Sequence, residues 1–139
     1  MNSDLLPCKT CPWRMESTAV AIPNYRHLQA CELLQTCVGE GDAFRQVMSC
    51  HYSTPEEPFA CKGYLAQAGW TNINVRILLA QRKIANPDRV AEACRIAGVK
   101  LHRTWAAALR KLTRTRQSAA LTDSSTSSLE HGPLQERIR

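Results

Sequence analysis

A mainly α fold is what this sequence predicts: a small N-terminal module held by a cysteine staple and packed with a C-terminal bundle of short helices. Three observations predict it. Four cysteines fall into two half-sites, Cys8-Lys9-Thr10-Cys11 and Cys50-His51 followed by Cys61. From Asn72 onward, apolar residues recur at helical spacing. Asn86-Pro87 and Gly98 are helix start and stop signals that bracket one segment between them. With 139 residues and 44% hydrophobic content a core can form, but the first 70 residues are too few to be secure without a staple.

Residues 1–22 read as an extended segment carrying the Cys8–Cys11 turn. Pro23 suits a first helical turn, so a helix is expected over 23–37, ended by Gly39 and Gly41. Asp42 can cap a short helix over 43–48. The connection between Cys50 and Cys61 holds two prolines and reads as a loop. A short helix over 61–68 closes at Gly69. Ile73, Ile77, Ala80 and Ile84 predict a helix over 72–84. In the next, over 87–97, Asp88 and Glu92 suit the positive end and Val90, Cys94 and Ala97 form the apolar stripe. The last helix, over 100–115, sets Leu101, Trp105, Ala108, Leu109 and Leu112 against Arg103, Arg110 and Arg114, with Lys111 adjacent. The run from Thr122 to Ser128 is too polar to bury surface and reads as disordered. Three regions follow: a cysteine module over 1–70, a basic helical region over 71–116 and a disordered tail over 117–139.

The net charge of +6 is unevenly distributed. Residues 1–70 carry five Lys and Arg against seven Asp and Glu. Residues 71–116 carry eleven basic residues against Asp88 and Glu92 alone. Such a block favours a polyanionic partner, nucleic acid first, or an acidic protein surface. The start lacks a signal peptide and no stretch approaches a membrane span, so a cytoplasmic setting and no membrane partner are expected. Thiols stay reduced there, and clustered cysteines then point to metal.

Cys8, Cys11, Cys50 and Cys61 are the candidate ligands, with His51 as alternative to Cys50. Two thiols two residues apart aim at one point, and four thiolates suit a tetrahedral zinc ion; an iron–sulfur cluster is the alternative cofactor. Trp13 is expected to cover the site or join the core, and Arg14 to donate to the thiolates or a nearby carboxylate. Cys31, Cys37 and Cys94 read as small core residues. A thioredoxin-like role for the CxxC lacks its βαβ context. The chain has no Gly-rich phosphate loop, GxSxG, HExxH or zinc-deaminase pattern, so no catalytic residue is expected and the protein is not expected to be an enzyme.

The segment from Val90 to Trp105 is compatible with a helix-turn-helix whose turn is Ala97-Gly98-Val99 and whose second helix carries Lys100, His102, Arg103 and Thr104. The alternative is an ordinary helical hairpin with a solvated basic face. Either way Lys100, Arg103, Arg110, Lys111 and Arg114 are the candidate nucleic-acid contacts.

The pattern Pro7-Cys8-x-x-Cys11-Pro12-Trp13-Arg14, then Ser49-Cys50-His51, then Cys61-Lys62-Gly63-Tyr64 resembles a family of uncharacterised small cysteine-containing proteins of phages and actinobacteria. The resemblance covers roughly residues 5–85 and leaves the basic helices after Asn86 outside it. It implies that Cys8, Cys11, Cys50 and Cys61 are metal ligands with His51 as a companion, and it implies no activity. Lys62 departs from the small residue usual there. The expected function is a non-enzymatic zinc protein that binds nucleic acid or regulates a nucleic-acid process. The alternatives are a phage-type protein-binding inhibitor or adaptor, and an iron–sulfur or redox protein.

Overall fold

The computed structural model describes residues 3–37 and 46–126. Among these, five α-helices carry the architecture: α1 (His27–Thr36), α2 (Lys62–Ala68), α3 (Ile73–Ala80), α4 (Pro87–Ala97) and α5 (Trp105–Thr126). Short 3-10 turns lie at Ser3–Leu5, Ala19–Ala21 and Gly69–Thr71. The extended pairing described is two isolated antiparallel bridges, Arg14 with Leu101 and Ser49 with Ala60.

Each helix begins and ends for a local reason. α1 starts later than Pro23 because Asn24 takes a left-handed backbone, φ 60°, which a helix cannot pass through. The short helix expected over 43–48 falls largely outside the described residues, and Gln46–Met48 is not helical. α3 is capped by Asn72, whose Oδ1 accepts from Asn74 N at 2.8 Å. It ends four residues before the expected Ile84, because Arg82 adopts φ 60° and Lys83 N closes back on Leu78 O at 2.8 Å. α4 has the expected bounds. Asn86 Oδ1 accepts from Asp88 N, Pro87 occupies the first turn, and Gly98 closes the helix at φ 75° with Val99 N on Cys94 O.

The stripe expected on α3 is out of phase, and the one on α4 is shorter than expected. In α3 the buried residue is Val75, with Leu78 and Leu79 half-buried, while Ile73 and Ile77 are exposed. That segment is apolar on most sides, so spacing alone could not choose the inner face. In α4, Val90 and Cys94 are buried as expected but Ala97 is exposed.

The helix-turn-helix expectation is overturned. Residues 100–104 are not helical, and α5 starts at Trp105. The backbone there pairs with the first cysteine loop instead: Met15 N donates to Lys100 O at 2.9 Å and His102 N to Trp13 O at 2.9 Å. Thr104 Oγ1 then accepts from Ala107 N at 3.1 Å and opens α5. At its other end α5 runs through residues 117–126, which were expected to belong to a disordered tail. Extending an existing helix through Ala119, Ala120 and Leu121 costs little per residue. The rest of that tail lies outside the described residues.

One buried cluster joins the cysteine region to the C-terminal helices. Trp13 lies at its centre, 1% exposed, with ring centroids 5.4 Å from Trp105 and 6.4 Å from Tyr64. Its Nε1 donates to Met48 Sδ, and Trp105 Nε1 donates to Ala30 O at 2.9 Å. Ala108 and Leu112 complete the inner face of α5. Trp13 is therefore core, as one of its two expected roles had it. A buried polar hub adds order: Asn72 Nδ2 donates to Tyr64 Oη at 2.9 Å and to Gln46 O at 3.2 Å.

Candidate metal centre and basic face

The first half-site is a tight turn, with Cys11 N donating to Cys8 O at 3.0 Å. Arg14 locks it from outside. Its Nε donates to Cys8 O at 2.8 Å and its Nη2 to Pro7 O at 2.7 Å, while Nη1 reaches Glu16. Arg14 thus grips the backbone beneath the thiols, and the carboxylate expected as a partner takes only one of its arms. Ser17 Oγ donates to Cys11 O at 2.7 Å and closes the next turn.

The second half-site is not the plain loop its prolines suggested. Cys50 N donates to Phe59 O at 3.0 Å and Cys61 N to Met48 O at 2.9 Å, so the chain doubles back as a short hairpin. That pairing brings Cys50 and Cys61 to one end, which explains their wide spacing in sequence. Ser53 N on Cys50 O, at 2.8 Å, makes the turn after Cys50 resemble the turn after Cys8.

The thiols then meet in a chain of contacts. Cys11 Sγ lies 3.7 Å from Cys61 Sγ. Cys8 hydrogen-bonds to Cys11 and to His51, and Cys50 hydrogen-bonds to Cys8. His51 Nε2 stands 3.2 Å from both Cys8 Sγ and Thr10 Oγ1. Its Nδ1 is buried without a hydrogen-bond partner among the described residues. Tyr52 packs on the His51 ring at 4.3 Å and shares a hydrogen bond with Thr10. Cys8, Cys11, Cys50, His51 and Cys61 line one open depression of about 460 Å³.

All seven cysteines are free thiols. Among the described residues, no group of three or more His, Cys, Asp or Glu side chains is placed to hold a metal ion. One pair of thiols has the spacing that a shared ion would need. Zinc–sulfur bonds of about 2.3 Å at tetrahedral angles set sulfurs about 3.8 Å apart, and the Cys11–Cys61 separation of 3.7 Å matches that edge. The thiols also burden one another. The hydrogen bond with Cys11, then burial, pushes Cys8 well above the usual thiol range. The hydrogen bond with Cys61 does the same to Cys11, and burial raises Cys50. A cation among them would relieve that burden by favouring the thiolates.

Gly63 explains the glycine after Cys61-Lys62. A Cβ there would lie 2.6 Å from Trp13 Cβ and 2.9 Å from Cys11 Sγ, so only glycine lets α2 press against the cysteine turn. Spacing alone could not reveal Gly63, Thr10 or Tyr52 as supports. The Cys61-x-Gly63 pattern was their one visible trace.

The remaining thiols are not alike. Cys37 and Cys94 are buried in keeping with packing roles. Cys31 is half-buried and lies 3.7 Å from His27 Nε2, whose Nδ1 meets Tyr25 Oη at 2.9 Å.

Of the five basic residues expected to face a partner, Lys100, Arg103, Arg110 and Arg114 are exposed. Lys111 is half-buried and donates to Met15 O. The charges converge on His102, which burial and then Lys111, Arg114 and Arg110 hold below the ordinary histidine value. Lys100 and Arg103 stand on the linker before α5, and Arg110 and Arg114 stand one turn apart on the helix. No described helix is long and apolar enough to cross a membrane.

A family model described as a family of unknown function (DUF6283) matches residues 4–124, and the chain belongs to that family. The match takes in α4 and most of α5, so the kinship extends well past residue 85, where the resemblance in sequence had stopped. No curated protein and no solved structure matches the chain.

Proposed function

We propose that this chain is a non-enzymatic, zinc-stapled protein that binds nucleic acid through its basic face. Zinc would be held by Cys8, Cys11, Cys61 and Cys50, with His51 bonded to Cys8 as the alternative to Cys50. The ion would supply folding energy and take no part in chemistry. The compactness of the thiols favours one ion over a cubane cluster, whose cysteine sulfurs stand farther apart.

The exposure of Lys100 and Arg103 on the linker before α5, and of Arg110 and Arg114 one turn apart on the helix, carries the nucleic-acid reading. None of these cations forms an ion pair with a carboxylate among the described residues. A cationic face without internal counter-charges is suited to phosphates, which give affinity before any base is read. Because Lys100 and Arg103 lie outside α5 and not on a reading helix, the binding would be of low sequence specificity.

The test is anisotropy of a labelled DNA duplex against salt. Lys100, Arg103, Arg110 and Arg114 together predict a log–log slope of about −3 to −4. Reversing Arg110 and Arg114 to Glu is expected to flatten it by about 2, with an unchanged melting temperature. Absence of binding at about 50 mM salt, where phosphate contacts are strongest, would overturn the reading.

A further inference from the structure

A cleft of about 470 Å³ opens between the Cys50–Cys61 hairpin and the end of α3, and none of the proposed nucleic-acid contacts lines it. Its walls are aliphatic, with Val47, Leu65, Leu78 and Ile84, and they include Phe59, which is 45% exposed. Among the described residues, two charged side chains line it, Lys62 and Lys83, and no carboxylate does. Neither ammonium is held in an ion pair among the described residues.

The position of Lys83 is set by an unusual backbone. Arg82 sits in the left-handed region at φ 60°, where glycine is the ordinary occupant. The turn ties Arg82 N to Leu79 O and Lys83 N to Leu78 O, so Lys83 follows directly on the cleft wall.

We propose that this cleft docks an acidic, amphipathic segment of a partner protein, with apolar side chains against Leu78 and Ile84 and carboxylates on Lys62 and Lys83. The charge pattern selects that occupant. An uncompensated lysine pair beside an apolar floor complements alternating acidic and aliphatic residues. A second copy of this chain, at net charge +6, is a poor match. Single-stranded nucleic acid favours a row of aromatic platforms, and Phe59 is the one aromatic side chain lining this cleft among the described residues. A second apolar patch, formed by Leu5, Leu6, Ala93 and Ile96, mixes Asp88 and Glu92 with Arg89 and so selects no partner by charge. It serves as the control.

The experiment titrates the full chain into a fluorescein-labelled synthetic peptide of Leu-Glu-Glu-Leu repeats. Saturable binding is expected, weakened about tenfold by Lys83→Glu, lost with Leu78→Asp, and unaffected by Ile96→Asp on the control patch. Lys83 is exposed, so its variant keeps the test valid if Leu78→Asp fails to fold. The proposal is overturned if the peptide does not bind, if a Leu-Lys-Lys-Leu peptide binds equally well, or if Lys83→Glu changes nothing. It is also overturned if an unlabelled single-stranded oligonucleotide displaces the peptide from the Arg110→Glu, Arg114→Glu variant.

Discussion

α4 and the thiol region are neighbours in one core, yet they are specified in opposite ways. α4 is written locally: an Asn cap, a Pro in the first turn, buried Val90 and Cys94, and a Gly at the end, all within the consecutive stretch Asn86–Gly98. The thiol region is written at a distance. Its defining contacts join Cys8 to His51 and Cys11 to Cys61, residues 43 and 50 positions apart. Chain closure over such separations is an entropic cost, and four crowded thiols do not offset it by themselves. The difference teaches how far apart the deciding signals lie: those for α4 are adjacent in the chain, and those for the thiol region are not, so a bound cation, as proposed above, would act on the thiol region and leave α4 unchanged.

The largest expected effect breaks that comparison directly. Cys11→Ser should remove more stability than the chain possesses, because a structural zinc contributes about 10–16 kcal/mol and small domains net about 5–15 kcal/mol. Cys94→Ala, the thiol on the locally specified helix, should cost only about 1–2 kcal/mol. Circular dichroism of the two variants checks this; equal losses would mean that the four-thiol cluster is ordinary packing.

Next in size is Trp13→Ala, expected to cost about 3–5 kcal/mol. Trp13 bridges the two regions through Trp105 and Tyr64, so denaturant unfolding should remain one transition in the wild type. Two separate wild-type transitions would show that the regions fold independently.

Glycines sharpen the contrast. Gly63→Ala forces a methyl group against Trp13 and Cys11 and should cost about 1–3 kcal/mol with reduced metal affinity. At Gly98 a methyl group meets nothing within 4 Å, so Gly98→Ala should cost about 1 kcal/mol from its φ of 75° alone, with metal affinity unchanged. Metal titration of both variants separates the two kinds of glycine.

The smallest effect is in pH. Burial first, then nearby arginines and lysine, holds His27 and His102 below the ordinary histidine value. Each therefore favours the folded chain while neutral. The stability is present above about pH 6.5, the unfolded value, and is lost as pH falls through the depressed folded values. Melting temperature should decline on acidification below that point, and His102→Gln should remove part of the decline. Bound polyanion should reverse the local charge at His102 and reduce its share; a profile unchanged by DNA would place the phosphates elsewhere.

The sequence made α4 legible to the residue, since every signal for it lies within hydrogen-bonding reach along the chain. The grouping of Cys8, Cys11, Cys50, His51 and Cys61 was legible as a spacing, and the five line one depression, while their role as ligands remains the proposal made above. The hairpin that makes the spacing work was not, because its prolines mark a loop and its two bridging residues, Ser49 and Ala60, have no strand signature. The start of α5 failed for a related reason. Lys100–Thr104 has helical spacing, but the backbone of Trp13 and Met15 offers it partners from nearly ninety residues away. Tertiary pairing outweighed local preference there, just as it displaced the inner face of α3.

Elemental analysis of the purified full chain, with its absorption spectrum, tests the central claim most directly. One zinc per chain and a colourless protein that loses helical signal on chelation is the predicted result. A metal-free chain that stays folded with seven titratable thiols, or a brown protein with iron and acid-labile sulfide, would contradict it.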